Sequence, residues 1–245
     1  MAYSYGWRGP DIVTNGLHLY FDAASPNSYY VPENPTPTTW KDMSGNGWDA
    51  ALDCTYIPAS ESFAFNGTNQ TATINSGATL AGKNQVTINM WWKPLSISAG
   101  VDKRMFYEET SSDTFTRLGI EQDNTSIQLK WRVAAQDPGG TAQTLSSTAF
   151  LNSGNVGTFF YISTVYDAVN SQQAIYVNGV LNASSTTAIT ALGTSTTLGL
   201  SFASALDWAT YYNECQIGAA HIYTRALTAT EILKNYNATK ARFGH

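Results

Sequence analysis

Apolar and polar residues alternate along most of this chain in short runs, and Gly, Asn, Asp or Pro separates nearly every run from the next. A period of two is the mark of a strand with one face turned to a core. The segment QVTINMWWK sends Val86, Ile88, Met90 and Trp92 to one face and Thr87, Asn89 and Trp91 to the other. GLHLYFDA likewise sets Leu17, Leu19 and Phe21 opposite His18 and Tyr20, and SIQLKWRV sets Ile127, Leu129, Trp131 and Val133 opposite Gln128, Lys130 and Arg132. Further strands are predicted at SFAFN, TATIN, RMFYEE, FTRLGIEQ, TAQTLSS, GTFFYISTVYD, QAIYVNG, STTLGLS and ECQIGAAHIYT. Neither alternating helices nor an internal repeat interrupts them, so about a dozen short strands predict an all-β antiparallel sandwich.

One stretch carries a different period. Thr228 followed three residues later by Glu231 forms a capping box, Leu227 and Ile232 hold the staple positions, and Ile232, Leu233 and Tyr236 make an apolar stripe at helical spacing. A helix is predicted from about Thr228 to Ala238, ending in a basic run and Gly244, and packed at the edge of the sandwich with the first and last strands adjacent. At the other end, residues 1–12 read as an extended arm ahead of a single domain spanning 13–245. Between the first two strand regions, SPNSYYVPENPTPTT is a stiff loop, because its prolines remove ladder donors and fix φ.

Composition narrows the function. Of 245 residues 43% are hydrophobic and only 13% charged, enough apolar material for one large β core. A net charge of −5 with 13 Lys and Arg excludes a phosphate-tracking surface, so no nucleic-acid partner is expected. The N-terminal residues lack the apolar core of a signal peptide, and no run is long enough for a membrane helix, so synthesis in a cytoplasm and no membrane insertion are expected. Cys54 and Cys215 either pair across a long loop or stay as two buried thiols, and a cytosolic setting favours thiols.

The segments GLHLYFDAASPNSYY, TTWKDMSGNGWDAAL, FAFNGTNQTATI, YDAVNSQQAIYVNGVL and IYTRALTATEILKNYNATKARFG, in this order, resemble concanavalin-A-like, laminin-G-like jelly-roll domains of the type found in structural proteins of tailed bacteriophages and large viruses. The resemblance spans roughly residues 11–244 and implies a jelly-roll sandwich with one short C-terminal helix. It implies a virion structural protein, a capsid decoration or fibre subunit, oligomeric or particle-bound, whose partners are other virion proteins or host-surface glycans. A free-standing carbohydrate-binding module or lectin is the alternative. Related domains often hold a structural Ca²⁺ near the Ser-Gly-Asn-Gly turn, which points to Asp22, Asp42 and Asn46, although the final strand reads Gly218-Ala219-Ala220 where many relatives supply an acid. An Asx turn capped by its own side chains explains the same residues without a metal, and no cofactor is otherwise required.

Candidate binding residues are aromatic. Alternation leaves Trp91 on the face opposite the core, where a ring can stack on a sugar or pack under a covering segment. ALDWATYYNE places Trp208, Tyr211 and Tyr212 between two strands, either as a ligand platform or as a lid. Tyr3, Tyr5 and Trp7 alternate in the arm and suit assembly contacts. Some glycoside hydrolases share this architecture, and Glu121 with Asp123 has the spacing of two acids on one strand face. The third acid of a laminarinase-like motif is replaced by Thr125 or Ser126, and the three histidines are scattered, so no enzyme activity is expected.

Overall fold

The computed structural model of the chain describes residues 11–30, 37–97, 102–110, 116–123, 128–133, 143–187, 189–194, 196–204 and 211–245. The arm residues Tyr3, Tyr5 and Trp7 and the loop residue Trp208 lie outside this set, as do the side chains of residues 131–133. In chain order the strands are β1 (Leu17–Asp22), β2 (Thr39–Trp40), β3 (Ala50–Asp53), β4 (Thr55–Ile57), β5 (Ser62–Asn66), β6 (Thr71–Ile74), β7 (Gln85–Pro94) and β8 (Lys103–Thr110). They continue with β9 (Thr116–Asp123), β10 (Gln128–Val133), β11 (Gln143–Ser146), β12 (Phe160–Asp167), β13 (Gln172–Val177), β14 (Val180–Ser185), β15 (Thr197–Phe202) and β16 (Glu214–Tyr223). A single helix, α1 (Ala229–Thr239), follows among the described residues, and a short 3₁₀ turn over Lys240–Phe243 completes the chain.

Two eight-stranded sheets result, one ordered β14-β13-β12-β7-β16-β5-β4 with β1 also on β16, the other β11-β10-β9-β8-β15-β6-β3-β2. The long strand β16 is shared lengthwise: its first half pairs with β5, as in Cys215↔Phe65, and its second half with β1, as in Tyr20↔His221. The first and last strands are therefore adjacent, as predicted. Between the sheets lies the main core, where Phe21, Ile88, Met90 and Trp92 of the first sheet meet Trp40, Phe106, Ile120 and Phe202 of the second, all fully buried. Each such side chain contributes roughly 1.5–3 kcal/mol by leaving water. Cys54 and Cys215 are both buried free thiols.

A smaller apolar cluster forms on the outer face of the first sheet, beneath α1 and the terminal turn. The predicted capping box is present, with Thr228 accepting from the Glu231 N–H and the Glu231 carboxylate accepting from Thr228. Arg225 adds a bidentate ion pair to Glu231 at 2.6 and 3.0 Å. The helix lies over the sheet's outer face, and its buried positions are Ile232, Asn235 and Thr239, whereas Leu233, expected in the apolar stripe, is 43% exposed. Asn235 earns its burial by bonding: its Oδ1 accepts from the Val13 N–H at 2.8 Å and its Nδ2 donates to Tyr223 Oη at 3.0 Å. Leu17 also departs from expectation, because the register shifts between Leu17 and Leu19 and turns Leu17 toward this second cluster.

Trp91 is the main correction. It alternates away from the central core as read from the sequence, yet it is fully buried. Its ring stacks on Phe243 at 4.4 Å, and its Nε1 donates to Thr239 Oγ1 at 2.7 Å. It is the anchor of the terminal cap rather than a ligand platform. The small residues of β16 serve the same contact: a Cβ at Gly218 would stand 2.3 Å from the Phe243 ring. The cap therefore requires a glycine there.

Candidate functional site

The outer face of the second sheet is built differently. On β9, Leu118 and Ile120 point into the core, which leaves Gly119, Glu121 and Asp123 outward. Strict alternation on β8 would send Arg104 inward with Phe106. The register shifts between Arg104 and Phe106, a bulge that lets both Met105 and Phe106 enter the core and turns Arg104 out beside Glu121. Cross-strand register then sets Arg104, Glu121 and Lys130 in one row and Tyr107 opposite Gly119 in the next.

These side chains form a layered polar cluster. A Cβ at Gly119 would fall 2.2 Å from the Tyr107 ring, so the ring lies against bare backbone. The Arg104 guanidinium sits 4.0 Å from the Tyr107 ring centre and 4.3 Å from that of Tyr211, held between two aromatic faces. Arg104 donates to the Tyr107 hydroxyl and pairs with the Glu121 carboxylate, to which Tyr107 in turn donates. Beside them Lys130 Nζ bridges Asp123 at 3.0 Å and Asp102 at 2.9 Å. Partial burial alone would lower the Lys130 pKa, but the bonds to Asp102 and Asp123 prevail and raise it. Glu121 and Asp123 are each 1% exposed. Glu108 belongs elsewhere: it points inward and accepts from Thr79, Thr197 and the Leu80 N–H.

The loop ahead of β16 joins this face. The Arg104 N–H donates to the Tyr211 carbonyl at 2.9 Å, and Tyr211 and Tyr212 are both half-buried. Asn213 pins the loop's end, its N–H bonded to the Ala203 carbonyl at 2.7 Å and its Nδ2 to Gln122 Oε1 at 3.2 Å. Of the aromatic candidates named from the sequence, Tyr211 thus stands at the cluster and Trp91 lies at the opposite side of the sandwich. Arg104, Tyr107 and Gly119 were not singled out by sequence, and the available signal was a glycine in the middle of a strand, which marks a close approach.

Of the three residues considered for calcium, Asp42 and Asn46 meet in one turn through Ser44, whereas Asp22 is directed to Arg242. Asp42 caps its own turn, accepting from the N–H groups of Tyr20, Ser44 and Trp48. The Asn46 side-chain amide donates to the His18 carbonyl at 2.9 Å, while the Asp22 carboxylate faces Arg242 at 2.8 Å on the cap side. No group of three or more His, Cys, Asp or Glu that could hold a metal ion occurs among the described residues. Among them also, no helix is long and apolar enough to cross a membrane.

Two antiparallel sheets and a terminal helix agree with the comparisons. Residues 66–233 match the Laminin_G_3 family, concanavalin A-like lectin/glucanases superfamily, and the chain belongs to that family. No curated protein matches it by sequence. Among solved structures it is similar to the botulinum neurotoxin serotype D binding domain, with a TM-score of 0.69 at 12% identity over 92% of this chain and 52% of that one. It is similar also to Trypanosoma rangeli sialidase in complex with sialic acid, with a TM-score of 0.66 at 13% identity over 96% of this chain and 35% of that one. The chain thus spans about half of the toxin domain and about a third of the sialidase. At such identities the likeness concerns the fold.

Proposed function

We propose that the protein is a non-enzymatic adhesion module that binds glycans on the outer face of its second sheet, at the rim formed by Arg104, Lys130, Asp102, Tyr211 and Tyr212, with Trp208, a candidate from the sequence that lies outside the described residues, taking part. The observation that carries this reading is the Arg104 guanidinium clamped between the Tyr107 and Tyr211 rings next to the Asp102–Lys130–Asp123 chain. Sugars are held by aromatic faces together with preset donors and acceptors, and here the half-buried Tyr211 offers the ring from the loop ahead of β16 while the partly exposed Lys130 and Asp102 offer the polar groups. The same geometry argues against glycoside hydrolysis. A retaining pair needs two carboxyl groups about 5 Å apart and open to substrate, whereas Glu121 is turned to Arg104 and Tyr107 and Asp123 to Lys130, both almost wholly buried. The setting we infer is the surface of a virus particle, as a decoration or fibre subunit attached through the arm with Tyr3, Tyr5 and Trp7. Support for that setting is the resemblance of the opening and closing segments to phage and large-virus structural proteins.

Glycan arrays probed with wild type, Tyr211→Ala and Trp208→Ala test the binding site. Wild type is expected to bind a defined set of glycans, and each variant to lose about tenfold or more in affinity, in line with removal of one aromatic anchor. Identical patterns for all three proteins refute the site. Turnover of a β-glucan that disappears in Glu121→Gln refutes the non-enzymatic reading.

A further inference from the structure

Beneath the C-terminal cap, a row of polar side chains crosses the first sheet from strand to strand. Register makes Tyr20 of β1 opposite His221 of β16, His221 opposite Asn89 of β7, and Asn89 opposite Ser163 of β12. All four side chains lie on the sheet's outer face, and His221, Asn89 and Ser163 are fully buried. Among the described residues, neither ring nitrogen of His221, neither amide atom of Asn89, nor the Tyr20 hydroxyl has a hydrogen-bond partner. Next to the row, the Tyr161 hydroxyl stands near Asn235 and Ser163 Oγ without good hydrogen-bond geometry to either. Each buried polar group left in this state costs about 1–3 kcal/mol, and a fold does not retain so many side by side uncompensated.

We propose that this row is a built site for internal water, a short chain of ordered molecules bridging Tyr20, His221, Asn89 and Ser163 under α1 and the terminal turn. The chemistry of the row selects the ligand. Donors (the Tyr20 hydroxyl, the Asn89 amide N–H groups, one imidazole N–H) and acceptors (Asn89 Oδ1, the second imidazole nitrogen) occur in the same few residues. An anion would leave the acceptors unmet and a cation the donors, whereas water donates and accepts at once. The flanking charges agree, because Asp22 and Arg242 already neutralise each other at 2.8 Å. The tilted Tyr20 and His221 rings, 4.9 Å between centres, close one end of the row. The site thus ties four strands of the first sheet to one another through solvent beneath the cap.

Two measurements on the whole chain test this. A crystal structure at about 1.5 Å or better is expected to show at least two ordered waters within hydrogen-bond distance of His221 and Asn89, and the His221 ring protons are expected to show magnetisation transfer from long-lived water in NMR. A dry row, or a direct His221–Asn89 hydrogen bond that excludes water, overturns the proposal. Thermal unfolding supplies the second test. Asn89→Leu and His221→Phe are each expected to lower Tm, and the double variant to lose clearly less than the sum, because each single replacement strands the other member of the central His221–Asn89 bridge and the double replacement removes both. Strict additivity of the two losses means the groups act independently and overturns the bridge.

Discussion

The two outer faces of this sandwich start from the same strand alternation and end in opposite states. On the first sheet the outward residues Trp91, Asn89, His221 and Tyr161 are roofed by α1 and the terminal turn. On the second sheet the outward residues Arg104, Glu121, Asp123 and Lys130 neutralise one another in place and are met by the loop that carries Tyr211. The difference teaches that burial and function are decided by what arrives from elsewhere in the chain. An uncharged aromatic and polar face is sealed by a helix, whereas on the second sheet the charges are buried against one another as ion pairs and only Lys130 with Asp102 at the rim keeps partial exposure.

The contrast can be broken hardest at the cap. Trp91→Ala removes a fully buried indole with its stack on Phe243 and its bond to Thr239, and is expected to cost about 3–5 kcal/mol in urea unfolding. Glycan binding per folded molecule should be unchanged, and a loss of binding would show that the two faces are not independent. On the other face Glu121→Ala strands a nearly buried Arg104, for which about 3 kcal/mol is expected by the same measurement. Here binding should fall together with stability.

Acid sharpens the comparison further. Burial, with the Arg242 charge nearby, lowers the His221 pKa to about 3. The folded form thus keeps the ring neutral while the unfolded chain takes up a proton below about pH 6.5. Stability is complete above that value and is expected to fall by at most about 1.4 kcal/mol per pH unit as pH drops toward 3. In His221→Phe the slope between pH 6 and 4 should flatten, which urea titrations at several pH values would read. The smallest effect is at the helix start, where Thr228→Ala should cost about 1 kcal/mol through loss of the cap. Circular dichroism during thermal unfolding is sufficient to detect it.

Much of this architecture was legible from residue spacing. The alternation of QVTINMWWK assigned residues 86–92 of β7 to the correct faces, and Thr228 with Glu231 marked the helix start, because both signals depend only on near neighbours in sequence. What alternation cannot convey is whether a second layer covers the outer face. For that reason the sequence left Trp91 open between a sugar-stacking and a covered position, since its partners Thr239 and Phe243 lie about 150 residues away. The helix added to the difficulty by burying Asn235 and Thr239 and exposing Leu233, against the usual apolar stripe. The Arg104 cluster was hidden by the bulge at Met105, because a one-residue slip moves every later side chain to the other face. Glu121 and Asp123 were found, but the cations and aromatic rings that hold them come from other strands.

The free thiols of Cys54 and Cys215 give the molecule a built-in pair of reporters for opening. Burial, with the Asp53 charge beside it, raises the Cys54 pKa to about 12, and burial raises that of Cys215 further, so neither is a ready nucleophile while the fold is closed. Cys215 lies in β16, the strand that holds the first sheet together, while Cys54 sits between two short outer strands. Trapping of the two thiols by an alkylating reagent would therefore record separate events, fraying of the margin at Cys54 and rupture of the central strand at Cys215. Any substitution made on either face could be ranked by which of these clocks it accelerates.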